Sequence, residues 1–108
     1  GIASSSRNAY LSKAGRSKAV AVPAALNDAC AAFAAGERDA AVLQRVGLQR
    51  LLEAGLRPDY FALRYAADLQ PVNGGLCDDP GRYRFLVAAT CDGVRMIDNC
   101  RPDAPPWD

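Results

Sequence analysis

The sequence predicts an α+β domain in which a small antiparallel sheet of about three strands packs against two or more helices. Three observations carry this. Two apolar stripes at helical spacing occupy the first half of the chain, β-rich runs joined by turn signals occupy the second, and strand and helix patterns do not alternate as a parallel sheet would require. At 108 residues, half of them hydrophobic, the chain has the size and composition of one domain with one core.

The stretch from Gly1 to Leu11 gathers small and polar residues, Ala3-Ser4-Ser5-Ser6, before Arg7-Asn8, and reads as a loop. Ser12 is a candidate N-cap for a helix opening at Lys13, because its hydroxyl can accept from first-turn amides. Pro23 predicts a break or kink. Beyond it, Val22, Leu26, Ala29, Cys30 and Phe33 fall on one face of a helix that ends near Gly36. That stripe reads as core. A second helix is predicted from about Asp39 to Glu53, carrying Gly47 inside it at a cost in propensity and closed by Gly55.

After Pro58, Tyr60-Phe61-Ala62-Leu63 predicts a short strand. Residues 70–82 collect Pro71, Asn73, Gly74, Gly75, Pro80 and Gly81, which predicts a long and mobile loop. Tyr83 to Cys91 and Val94 to Ile97 flank Asp92-Gly93, a dipeptide suited to a two-residue hairpin turn. The proline-rich tail from Arg101 is expected to lie on the surface or fray.

The net charge of +1 conceals an asymmetry: the first 18 residues hold Arg7, Lys13, Arg16 and Lys18, and all 12 acidic residues follow. This suits a local anion site near the N-terminal end. The near-zero total argues against the broad basic face that duplex nucleic acid needs. The uncharged runs are too short and too Ala-rich to span a membrane, so a soluble, intracellular and cytoplasmic protein is expected. Cys30, Cys77, Cys91 and Cys100 form no C-x-x-C pair, and the chain has no histidine, so no metal site is assigned. Buried free thiols are preferred over two bridges. A secreted, disulfide-stapled domain stays open as an alternative. Gly1 in place of an initiator methionine predicts a processed chain or a fragment of a longer one.

Ser5-Ser6-Arg7-Asn8 is the stretch with chemistry in it. Adjacent hydroxyls and their amides can donate to phosphate oxygens, and a guanidinium can clasp an oxyanion pair through its fork of N–H donors. The bland reading, a solvated loop leading into a helix cap, is the ordinary one for such a run taken alone. Lys13, Arg16 and Lys18 could extend a phosphate field, but on a helix they fit a solvated face. Asp78-Asp79 could suggest Mg²⁺ but fits an exposed loop, and Asp98-Asn99 fits a turn or strand end.

Context changes the weight of the first stretch. The run Gly1-Ile2-Ala3-Ser4-Ser5-Ser6-Arg7-Asn8-Ala9-Tyr10-Leu11 resembles the signature that opens the C-terminal domain of pantoate–beta-alanine ligases. The resemblance continues in register through Ser12, Arg16, Ala35-Gly36-Glu37, Tyr60 to Arg64, Leu86 to Ala89 and Arg95 to Asn99. Two departures are Ser4, where the family commonly has Met, and Tyr65, where an acidic residue is common.

The resemblance implies that residues 1–108 are the C-terminal, ATP-covering domain of a larger enzyme, whose Rossmann-type N-terminal catalytic domain is absent from this chain. It implies ATP as substrate, accompanied by Mg²⁺. Pantoate would be adenylated with loss of pyrophosphate, and the amine of beta-alanine would then displace AMP. Both acids would be bound mainly by the N-terminal domain, and the full enzyme would be a homodimer. Ser5, Ser6 and Arg7 would bind the ATP phosphates, with Arg7 catalytic, and the chain alone would be inactive. A non-catalytic binding or interaction module is the alternative.

Overall fold

The computed structural model describes residues 18–106. The helix predicted to open at Lys13 and its Ser12 cap lie outside them. Lys18 and Ala19 are helical and the helix breaks at Val20, after which α1 runs Ala21–Ala34. The break near Pro23 therefore falls just ahead of the proline. Pro23 sits in the first turn of α1, where a missing N–H costs nothing because no intrahelical carbonyl is there to receive it.

Both helices end in the same way. In α1 the N–H of Gly36 donates to Phe33 O and that of Glu37 to Ala32 O; in α2, Ala40–Glu53, Gly55 donates to Leu52 O and Leu56 to Leu51 O. These paired bonds satisfy the last free carbonyls. They need a left-handed residue after the cap, which is why glycine stands at both places, with φ of 110° and 81°. Asp39 caps the start of α2 by accepting from Ala41 N at 2.9 Å.

The sheet has the order β1-β2-β3, all antiparallel, with β1 Arg57–Tyr65, β2 Tyr83–Cys91 and β3 Val94–Cys100. The α+β class and the three strands are thus as the sequence predicts. Asp92 and Gly93 both take positive φ, 51° and 78°, the turn that matches the twist of a hairpin. β1 is longer than the predicted Tyr60–Leu63 and includes Pro58. A proline fits there because β1 is an edge strand, and a bulge between Pro58 and Tyr60 follows it.

The strands β2 and β1 turn Tyr83, Phe85, Val87, Ala89, Phe61 and Leu63 toward the helices, where they meet Leu26, Phe33, Leu43 and Leu51 in one core. Gly47 lies against the Phe61 ring, so close that a Cβ would overlap it. That contact explains a glycine inside α2 that propensity alone would reject.

Two expectations are corrected. The segment between β1 and β2 is long but tied down: Val72 N donates to Leu63 O, Ala40 N to Gly74 O and Leu76 N to Arg38 O at 2.6 Å, while Val72 and Leu76 are buried. Together with the Gln44 side chain, which accepts from Leu63 N at 3.0 Å, this segment covers the open edge of β1. The tail does not fray at its start either. Pro102 is fully buried, against the far side of α1.

Candidate functional site

The predicted phosphate-binding residues Ser5, Ser6 and Arg7, with Asn8, Lys13 and Arg16, lie outside the described residues. Of the basic N-terminal group the structure places Lys18, which is exposed and followed by the fully buried Ala19. Lys18 therefore sits where the chain enters the core, on a solvated face.

The acidic candidates have structural roles. Asp78 forms an ion pair with Arg38 at 2.8 Å, and Asp79 accepts from Gly81 N, capping the short 3₁₀ turn Pro80–Arg82. Among the described residues no group of three or more His, Cys, Asp or Glu side chains converges as metal ligands would. Asp98 is not at a turn. It lies within β3 opposite Val87, on the face that looks toward the helices, with Oδ1 accepting from Asn99 N and Oδ2 buried without a partner among the described residues. A carboxylate oxygen buried without a partner on a half-buried side chain is costly, and sequence reasoning missed it. Its signal was available: in the alternation of β3, position 98 shares a face with Met96 and Cys100.

Arg38 is a second residue that composition did not reveal. Its guanidinium stacks 3.8 Å over the Phe33 ring and donates to Phe33 O at 2.6 Å, to Glu37 O and to Asp78. One side chain thus links the end of α1 to the β1–β2 segment.

None of the four cysteines is in a disulfide, and their environments differ. Cys30, Cys91 and Cys100 are buried as expected, and Cys77 is exposed, which corrects that part of the reading. The Tyr83 hydroxyl lies 3.3 Å from Cys77 Sγ and accepts from Cys77 N at 2.9 Å. Bonds to the sulfur from Tyr83, the Asp79 backbone and Arg82 hold the Cys77 thiol below its ordinary range, while burial pushes Cys91 up. Beside this cluster a groove of about 580 Å³ opens between the turn Tyr65–Asp68 and Gly81-Arg82. Its lining combines Ala66, Ala67 and Gly81 with the larger Tyr65, Asp68 and Arg82.

Among the described residues these elements define an α+β arrangement of helices α1 and α2 on a three-stranded antiparallel sheet, and the sequence run suited to phosphate lies ahead of them. Residues 1–101 match the family model "Pantoate-beta-alanine ligase". The chain is 40% identical over 110 residues to the pantothenate synthetase of Thioalkalivibrio sulfidiphilus, covering 98% of this chain and 36% of that protein. It is 46% identical over 101 residues to that of Anaeromyxobacter dehalogenans, covering 94% and 34%. The crystal structure of pantothenate synthetase from Thermus thermophilus superposes with a TM-score of 0.81 at 31% identity, over 94% of this chain and 36% of that one. The chain belongs to the pantoate–beta-alanine ligase family, and it spans about a third of the length of the curated relatives it matches.

Proposed function

We propose that this chain is the C-terminal domain of an ATP-dependent, AMP-forming pantoate–beta-alanine ligase, in which Ser5, Ser6 and Arg7 bind the ATP phosphates. The observation that supports it is the family match over residues 1–101, which takes in Ser5-Ser6-Arg7-Asn8 together with the whole helix–sheet scaffold. In this reading pantoate attacks the α-phosphorus of ATP, pyrophosphate departs, and beta-alanine's amine displaces AMP to give pantothenate. Charge accumulates on the leaving pyrophosphate. Arg7 offsets it through paired N–H donors, and the Ser5 and Ser6 hydroxyls orient the phosphates; these contacts accelerate the step to the extent that they tighten in the transition state. Mg²⁺ would neutralise phosphate charge when bound with ATP. Asp78 and Asp79, the adjacent acids of this chain, are committed to Arg38 and to a turn, so neither is assigned to it.

The scaffold supports a role as a cover for a site built elsewhere. Its described grooves are open to solvent, and binding adenine and two acids asks for a more enclosed pocket with convergent polar groups. The N-terminal catalytic domain of the same enzyme would supply it, in a cytoplasmic homodimer, and the chain alone would be inactive. Pantothenate formation assayed with the chain alone, and again with the chain joined to a Rossmann-type ligase domain, tests this: turnover is expected only in the second case. Turnover by the chain alone overturns it. In the joined enzyme Arg7→Ala should lower pyrophosphate exchange by roughly 10²–10³-fold while leaving the chain's stability within about 0.5 kcal/mol, as expected of an arginine in a small, polar run of sequence. Equal losses in both would return Arg7 to a structural role.

A further inference from the structure

The sulfurs of Cys30, in the middle of α1, and Cys100, the last residue of β3, stand 3.5 Å apart in the core although 70 positions separate them in sequence. Both are free thiols, and either can be the hydrogen-bond donor to the other. Two thiols side by side in a core are not explained by packing, since a small apolar residue fills the same space with no polar group to satisfy. The pair is also not sealed. A surface cavity of about 230 Å³, walled by Ala31, Ala34, Pro102 and Pro105 with the polar Asn27 and Asp103, has Cys30 in its lining, whereas Cys100 is not part of it. The Arg101 carbonyl, 3.5 Å from Cys30 Sγ, gives that sulfur a second polar neighbour.

We propose that Cys30 and Cys100 are a redox modification site, in which Cys30 reacts with a small hydroperoxide admitted through this cavity and Cys100 closes a disulfide that staples α1 to β3. The chemistry balances without a further reactant. The Cys30 thiolate attacks one peroxide oxygen, the O–O bond breaks and hydroxide leaves, giving a sulfenic acid at Cys30. The Cys100 sulfur, losing its proton, then attacks the Cys30 sulfur and expels the second hydroxide. Two thiols are oxidised to one disulfide and one hydrogen peroxide is reduced to two waters. The division of labour follows from position. Cys30, 3% exposed, lines the cavity, and Cys100, 7% exposed, lies outside that lining with its sulfur 3.5 Å away. The electrostatics agree: the hydrogen bond from Cys100 draws the Cys30 thiol below its ordinary range, and the same bond together with burial pushes Cys100 well up. Cys77 is the more exposed thiol, but its polar neighbours are Tyr83 and Arg82, so oxidation there leaves a sulfenic acid without this partner.

The test uses the unsubstituted chain, because cleavage after Lys and Arg places the four cysteines on four separate peptides. The native chain is treated with a small excess of hydrogen peroxide, quenched, denatured, alkylated and mapped by mass spectrometry. A bridge joining the Cys30 and Cys100 peptides, reversed by dithiothreitol and formed at least tenfold more slowly in 6 M urea, is expected. Closing a loop of this length should also raise Tm by on the order of 10 °C. Cys30 and Cys100 both alkylating fully after Cys77 has been oxidised would overturn the proposal. So would a bridge that forms equally fast in urea, or one that lowers Tm, since either means pairing from an opened chain. A Cys77→Ser, Cys91→Ala variant, which retains the pair alone, should give the same bridge. In a Cys100→Ala variant Cys30 should stop at a sulfenic acid trapped by dimedone, and absence of that adduct counts equally against the proposal.

Discussion

The two faces of the sheet are made from the same strands and carry different demands. Toward the helices β2 presents Tyr83, Phe85, Val87, Ala89 and Cys91, all buried, closed over by Leu26, Leu43 and Leu51. Its opposite face presents Arg84, Leu86, Ala88 and Thr90, over which no described element packs. Ala88 is nonetheless fully buried. In register it lies between Tyr60 of β1 and Ile97 of β3, which stand 39% and 46% exposed and shield the alanine between them. One face is therefore buried by a second layer, and the other is covered only by its own cross-strand neighbours. Arg64 and Arg84 directly oppose each other on that open face, and the bulged Asp59 pairs with Arg95 across it at 2.7 Å. Like charges set opposite one another are tolerated there because water screens them.

If the layered face holds the fold, substitutions on it should dominate stability. Phe85→Ala should have the largest effect, about 3–5 kcal/mol in urea unfolding, because Phe85 is fully buried at the centre of β2 and contacts the Phe61 ring at 5.8 Å between centroids. A loss below about 1 kcal/mol would mean that the two layers are not tightly packed. Gly47→Ala probes the same seam from the helix side. Alanine is the better helix former by roughly 1 kcal/mol, yet its Cβ would overlap the Phe61 ring, so a net destabilisation of about 1–3 kcal/mol is expected. A stabilised variant would show that Phe61 moves freely and that the glycine is a mere lapse in propensity.

That glycine also marks the limit of what was legible in the sequence. Helix spacing around Leu26, Cys30 and Phe33 and the Asp92-Gly93 turn predicted the core stripe and the hairpin, because periodicity and turn chemistry are local. The proline- and glycine-rich segment before β2 read as mobile because its anchors are not local: Leu76 bonds to Arg38 and Gly74 to Ala40, more than thirty positions away in sequence. The same holds for Cys30 and Cys100, whose meeting no spacing rule anticipates. The proposed phosphate-binding stretch rests on resemblance to a family alone, because a serine–arginine run has no distinctive periodicity.

Tyr83 stands at the boundary of the comparison, buried at the end of the layered face with its hydroxyl reaching the segment that covers the β1 edge. Tyr83→Phe keeps the ring beside Tyr65 but removes the acceptor for Cys77 N and the donor to Cys77 Sγ. A loss of about 1 kcal/mol is expected. The Cys77 thiol should also titrate higher, since its largest stabilising partner is gone; the pH dependence of its alkylation rate should move toward higher pH than in the parent chain. An unchanged profile would assign the lowered thiol to Arg82 and the Asp79 backbone instead.

The smallest effect is expected on the open face, and it is the one that separates the two faces most cleanly. Ile97→Thr keeps a β-branched side chain on β3, so strand propensity hardly changes, while about half of the isoleucine already meets water. Its contribution is the cover it gives Ala88 from one side, with Tyr60 supplying the other. The expected change is within about 0.5 kcal/mol, measured by the same urea unfolding as for Phe85→Ala. A loss approaching that of Phe85→Ala would mean that Ile97 is packed in the folded chain, and that the open face is closed by a surface the described residues do not include.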